Sequence, residues 1–166
     1  MAAFPVPSFG RYHRFRRYWR KPWTRRARRS KKFKLFCWKH GFVSPHFTRD
    51  EWASKDGKVV PWRLRGNAQR HAFNLERMRH RLGDKPLGAL SYYRSPEHNT
   101  AVGGASQSRH MQADASDFSV ETVNKFGRTR FLTVVEKVFS DGGVGNYPGG
   151  NIHVDSRGYR ARWSSW

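Results

Sequence analysis

The decapeptide Ser108-Arg109-His110-Met111-Gln112-Ala113-Asp114-Ala115-Ser116-Asp117 sets an imidazole and a carboxylate seven positions apart, and Asn151-Ile152-His153-Val154-Asp155 supplies a second imidazole. Two imidazoles and one carboxylate are the donor set of a catalytic zinc, in which three protein ligands leave a fourth position open for water. A structural zinc normally closes its shell with cysteines, and this chain has a single cysteine, Cys37. The donor types at His110, Asp117 and His153 therefore point to hydrolysis rather than to a metal staple. Taken alone the spacing is weak, because scattered His and Asp are mostly surface residues.

Outward from these motifs, 115–118 and 152–155 read as short strands. Alternation puts His153 and Asp155 on one face of the second strand and Ile152 and Val154 on the other. The apolar pair can then enter a core while the polar pair lines a cleft. Ala115 and Asp117 likewise share a face, the small Ala115 leaving room beside a metal, and His110 swings in from the preceding loop. The same alternation turns Asp114 towards solvent. Residues 144–147 read as a further strand, joined to 152–155 through Pro148-Gly149-Gly150.

Helices are expected on either side. Residues 67–82 carry Ala68, Ala72, Leu75, Met78 and Leu82 at helical spacing, with Gly83 as the stop and His71 and His80 on an exposed face. Ser95-Pro96-Glu97 starts a short helix closed by Gly103 and Gly104. Ser119 caps an amphipathic helix that Gly127 interrupts and Asp141-Gly142-Gly143 ends. Residues 87–93 read as a strand weakened by Gly88. Thr48 and Glu51, three residues apart, read as the cap of a helical turn over 46–52. The expected fold is α+β: a small antiparallel sheet with flanking helices carrying a zinc cleft over residues 46–166, preceded by a basic N-terminal arm over residues 1–45.

Composition bounds the partners. With 166 residues, 37% of them hydrophobic, the chain suffices for one domain with a modest core. A formal charge of +21 favours polyanions: nucleic acid, an anionic membrane face or acidic wall polymers. One cysteine excludes an intramolecular disulfide, and Cys37 is expected as a small buried hydrophobe. No apolar run approaches a membrane span, and residues 1–10 are too short and interrupted for a signal peptide.

The charge is uneven. Residues 1–45 hold 14 of the 33 Lys and Arg and no Asp or Glu. Rings and cations interleave in Arg11-Tyr12-His13-Arg14-Phe15-Arg16-Arg17-Tyr18-Trp19-Arg20-Lys21-Pro22-Trp23. Adjacent cations repel, so such a segment does not easily build its own core. Arg14, Arg16, Arg17, Arg20, Arg25, Arg26, Arg28 and Arg29 are the candidates for neutralising phosphates, with rings to stack on bases or pack into a partner. The competing readings are a solubilising tail, or rings folded back onto the domain.

Ser-x-His-x-x-Gly-x-Ala-x-Asp followed by a distant His is the signature of the zinc D-alanyl-D-alanine carboxypeptidases and L-alanyl-D-glutamate endopeptidases, a family that includes many bacteriophage endolysins. The chain resembles it through Ser108, His110, Ala115 and Asp117 in register, departing at Ala113, where the family usually has glycine. Phe47-Thr48-Arg49-Asp50-Glu51-Trp52 through Gly57, Ser91-Tyr92-Tyr93-Arg94-Ser95-Pro96-Glu97-His98-Asn99 with Val102-Gly103-Gly104-Ala105, and His153-Val154-Asp155 with Arg162-Trp163 are similar to further family blocks. The resemblance spans residues 46–163. It implies zinc on His110, Asp117 and His153. It also implies that Arg94 neutralises the oxyanion or a substrate carboxylate, and that Ser108 and Tyr93 contact substrate. Asp155 is implied in the catalytic apparatus, orienting a ligand or an arginine. A structural salt bridge is the alternative for Arg94.

A second departure matters more. Many family members place Glu or Asp three residues before the last His as general base, and here that position is Gly150. Asp155, Tyr147 and His98 are the alternatives, or the site is impaired; zinc by itself acidifies a water. The expected function is zinc-dependent hydrolysis of peptidoglycan stem-peptide bonds, as a carboxypeptidase or endopeptidase. The chain would be phage-encoded, held in the virion or host cytoplasm and acting at the cell wall. Peptidoglycan would be its substrate, with virion proteins or DNA as partners of the arm. The alternative is a structural virion or nucleic-acid-binding protein that keeps the fold without turnover, and Gly150 favours it.

Overall fold

The computed structural model describes residues 15–164. In chain order the first elements are α1 (Arg16–Arg20), α2 (Arg25–Arg29), α3 (Lys31–Lys39), β1 (Phe42–Ser44), β2 (Phe47–Thr48), α4 (Arg65–Arg81) and α5 (Pro96–Ala101). There follow β3 (Ala115–Phe118), α6 (Val120–Lys125), α7 (Arg128–Val138), β4 (Gly143–Asn146), β5 (Ile152–Asp155) and β6 (Ala161–Ser164). Single 3₁₀ turns at Trp62–Leu64 and Arg109–Gln112 precede α4 and β3.

Four strands form the central sheet in the order β3-β5-β4-β6. The first three are antiparallel, while β6 joins β4 in parallel. The expected antiparallel sheet is therefore there, with a parallel edge strand that the short, half-polar Ala161–Ser164 segment did not announce. Ile152 and Val154 are fully buried, as alternation requires, and pack with Phe118, Val144, Leu75, Phe131 and Val135 in the main core. The opposite face carries a row of residues in register: Asp117 opposite His153, His153 opposite Gly145, Gly145 opposite Trp163. At Gly145 a Cβ would stand 2.6 Å from the Trp163 ring, so only glycine lets the indole lie across β4 towards His153.

Caps sit where the sequence places them. Ser95 and Ser119 each accept a backbone N–H from the first turns of α5 and α6, and Gly127 separates α6 from α7. Two short segments differ from expectation. Residues 87–93 touch the sheet through one bridge, Ser91 to Asp117, because Pro86 and Gly88 leave too little regular backbone for a ladder. Thr48 and Glu51 do exchange capping bonds, Thr48 N–H to Glu51 at 2.7 Å and Glu51 N–H to Thr48 at 3.2 Å, but around a turn after β2 rather than a helix.

Helix α4 is buried on more than one side. Ala68, Ala72, Leu75 and Met78 face the sheet, while Phe73 belongs to a second apolar cluster with Phe15, Trp19, Ala27, Phe33, Phe36, Cys37 and Phe42. The described rings of the N-terminal segment thus fold back onto α4. The boundary expected at residue 45 falls inside the β1–β2 hairpin, whose register pairs Phe42 with Thr48. The expected exposure of His71 is overturned: it is fully buried on the sheet side of α4. Its ring bridges Ser156 and Ser116, both at 2.8 Å, tying α4 to the sheet. His80 stays half-exposed and stacks on Trp23 at 3.8 Å between centroids.

Candidate metal centre and cleft

The β3–β5 register sets Asp117 against His153, and the 3₁₀ turn before β3 delivers His110 beside them. That turn closes at Ala113 with φ of 56°, the left-handed region in which a side chain costs energy. His110 Nδ1 lies 2.6 Å from the carbonyl of Tyr92. A carbonyl only accepts, so Nδ1 carries the proton and Nε2 turns its lone pair inward. His153 Nε2 lies 3.2 Å from Asp155 Oδ2 and donates to that carboxylate, which leaves the lone pair on His153 Nδ1. The two lone-pair nitrogens stand 3.3 Å apart, with Asp117 oxygens 3.1 Å from His110 Nε2 and 2.8 Å from His153 Nδ1. One donor atom from each residue lies within 4.8 Å of the others.

This arrangement fits a divalent metal. Three lone pairs converge, their protons are committed outward, and a cation is what relieves their mutual repulsion. The local field has the same sense. Burial opposes ionisation of Asp117, but the adjoining His110 and His153 rings, when they carry positive charge, outweigh it and hold the carboxyl well below its usual range. Burial disfavours the His153 imidazolium, yet Asp117 and Asp155 together push its pKa up. The site draws positive charge.

Behind the triad, Asp155 is fully buried and fully occupied. It accepts from Arg157 Nε at 2.8 Å and from the Gly143 N–H at 3.1 Å, besides His153. Burial resists its ionisation, and Arg157 and His153 overcome that. Arg157 also lies over the Trp163 ring at 5.1 Å, and Trp163 packs against His153 at 5.3 Å between centroids. Sequence reading had not singled out Arg157 or the placement of Trp163. An arginine two residues beyond Asp155 was the signal available for the first, while the second depends on strand order.

Arg94 stands at the mouth, Nη2 2.7 Å from Asp117 Oδ2 and Nε 3.2 Å from Ser91 Oγ. Two cavities of about 420 and 450 Å³ meet at Arg94, Val102, Asp117 and Tyr147. Lys55, His98 and Asn151 line the first, while Ser108, His110, His153 and Trp163 line the second. Burial pushes the Tyr147 phenol up. Tyr93, expected to meet substrate, is 5% exposed and packs in the main core. Asp114, expected in solvent, is also fully buried, ion-paired with Arg109 and with Arg70 at 3.2 Å. Of the candidate polyanion contacts, Arg16, Arg17, Arg20, Arg25, Arg26 and Arg29 are exposed and Arg28 is half-buried. Arg14 lies outside the described residues.

Residues 36–155 match the family model for peptidase M15. The chain belongs to the M15 peptidase family. The matched segment of this M15 chain opens inside α3 and closes on Asp155, so it includes all three members of the triad. Over 121 residues, 69% of its length, the chain is 36% identical to the zinc D-Ala-D-Ala carboxypeptidase of Streptomyces albus G. It spans 44% of that relative's length. Among the described residues, no helix is long and apolar enough to cross a membrane.

Proposed function

We propose that this M15 chain is a zinc-dependent peptidase that hydrolyses stem-peptide bonds of peptidoglycan. The convergence of His110 Nε2, Asp117 and His153 Nδ1 along the wall of an open cleft carries the reading. The relative's name, with its zinc and its D-Ala-D-Ala specificity, supports it. Zinc held by these three groups would polarise the scissile carbonyl and make a water acidic enough to attack at neutral pH. The endolysin-like motifs support a phage-encoded enzyme acting at the host wall.

The chain's own residues do the rest. Arg94 presents a fixed guanidinium to the cleft, where it stabilises negative charge as it develops on the carbonyl oxygen or binds a substrate carboxylate. Asp155 fixes the orientation of His153 and is itself fixed by Arg157, so it is a positioning residue with no free oxygen for proton transfer. Ser108 lines the cleft as a hydrogen-bonding group for substrate. Tyr147, half-buried on the cleft wall, presents a neutral phenol whose O–H is available to donate to substrate. An acid at position 150 would be strained here. Gly150 has φ of +87°, and a Cβ there would lie 2.8 Å from Val120 Cγ2. His98, on the wall of the adjoining cavity, is the imidazole left to handle a proton.

Incubation of purified peptidoglycan with the protein, with and without chelator, tests the proposal. Chelator-sensitive release of new amino termini or free D-alanine is expected, with His98→Ala lowering kcat by about 10²–10⁴-fold, the range of general acid–base assistance. The second reading, a virion or nucleic-acid-binding protein without turnover, rests on Gly150. Intact wall at high protein concentration would establish it in place of the first.

A further inference from the structure

Away from the cleft and sharing no residue with it, a cavity of about 280 Å³ is walled by Arg25, Arg28, Arg29, Lys34 and Arg70 around Phe73. Local structure builds it. Thr24 caps α2 by accepting from Ala27 N–H, and Ala27 is fully buried, so the helix is anchored with Arg25, Arg28 and Arg29 on one face at i, i+3 and i+4. Ser30 caps α3, and Gln69 holds the Lys34 carbonyl at 2.7 Å, fixing α3 against α4. Lys34 Nζ sits over the Phe73 ring, 5.8 Å from its centroid.

The fold has collected cations without neutralising them. Among the described residues, Arg25, Arg28, Arg29 and Lys34 form no ion pair, and Arg70 shares Asp114 with Arg109. Residues 1–14 contain no Asp or Glu with which to supply one. Arg28 Nε is buried and, among the described residues, has no hydrogen-bond partner. A buried donor without an acceptor is destabilising until an acceptor arrives. Burial lowers the pKa of Lys34, and Arg28 and Arg70 lower it further, as in a pocket held short of negative charge.

We propose that this pocket binds a phosphate group, either free or as the phosphodiester of a polymer. Guanidinium forks match the tetrahedral oxyanion in paired hydrogen bonds, and several cations around one cavity exceed what a single carboxylate can satisfy. Arg28 Nε acquires its acceptor, and the mutual repulsion of the helix faces is relieved. The aromatic floor and the volume leave room for the ester substituents of a phosphodiester.

Calorimetric titration of the full chain with inorganic phosphate, and in parallel with a glycerol-phosphate polymer, tests this. Arg25→Gln/Arg29→Gln removes two exposed guanidiniums while keeping Ala27 packed, and circular dichroism checks the fold. Affinity for both probes should fall by about tenfold or more. Arg16→Gln/Arg17→Gln removes the same charge from exposed positions outside the pocket and should change phosphate affinity by less than about twofold. Tighter binding of the polymer than of free phosphate, lost in the pocket variant, identifies a polymeric ligand; equal affinity per phosphate identifies a free one. Both outcomes uphold the site. No phosphate binding, or equal losses in the two double variants, overturns it, the latter because it would reveal only the general attraction of a chain of charge +21. Peptide hydrolysis plays no part in the readout, so this proposal and the peptidase reading fail separately.

Discussion

At the scale of single residues, the metal centre is a problem of lone-pair direction. Each imidazole is aimed by what its other nitrogen touches: the Tyr92 carbonyl for His110, the Asp155 carboxylate for His153. Asp155→Asn weakens the acceptor and strands Arg157, so zinc affinity should fall about 10–100-fold by competition with a chromophoric chelator. Ala113 offers a test of backbone strain. With φ of 56°, it bears the left-handed penalty of about 1–2 kcal/mol, partly offset by the greater unfolded-state freedom of glycine. Ala113→Gly should therefore raise unfolding stability by roughly 0.5–1 kcal/mol in urea titration. The donor residues could be nominated from the primary structure, because their types are rare in combination and their strand positions alternate correctly. Their aim could not, since the Tyr92 carbonyl is 18 residues from His110 and only folding brings it near.

At the scale of elements, hairpin and helix signals were legible wherever local chemistry suffices: serine caps, glycine breaks, the Pro148-Gly149-Gly150 turn and the apolar stripe of α4. What failed depended on neighbours. β6 exists because β4 offers a parallel edge, and the Trp163 indole reaches His153 because Gly145 has no side chain. Gly145→Val should push the indole off β4 and cost about 1–3 kcal/mol in thermal unfolding, as overpacking does. It should also loosen the His153 ring and reduce turnover. Asp114 and His71, both expected at the surface, are buried because polar partners meet them where α4 packs on the sheet: Arg70 and Arg109 for Asp114, Ser116 and Ser156 for His71.

At the scale of the whole molecule, three acidic side chains, Glu76, Asp114 and Asp155, are fully buried in a chain of net charge +21, each held by specific donors. Zinc bound to the native triad and not to the unfolded chain stabilises by mass action, so chelator should lower Tm and excess zinc restore it. His71 gives a pH signature. Burial holds its pKa well below the ordinary 6.5. Above that pH both folded and unfolded states are neutral there. Below it the unfolded chain takes up a proton that the folded protein refuses, and stability falls with acidification by up to about 1.4 kcal/mol per pH unit. His153, with its pKa pushed up, contributes the opposite slope in the same window, so the His71 share is the difference in urea midpoints between the native chain and His71→Gln from pH 7 to 5, a difference that should grow in favour of the variant on acidification. By itself the sequence determined the α+β class, the donor set and the concentration of cations near one end, because residue type, alternation and local caps decide those within a few positions. Only the tertiary structure decided that the N-terminal rings cover α4, that arginines from two helices enclose one pocket, and that three lone pairs meet at a point. Those outcomes depend on long-range packing, in which burying apolar surface outweighs the repulsion of like charges, and no window along the chain contains both sides of that balance.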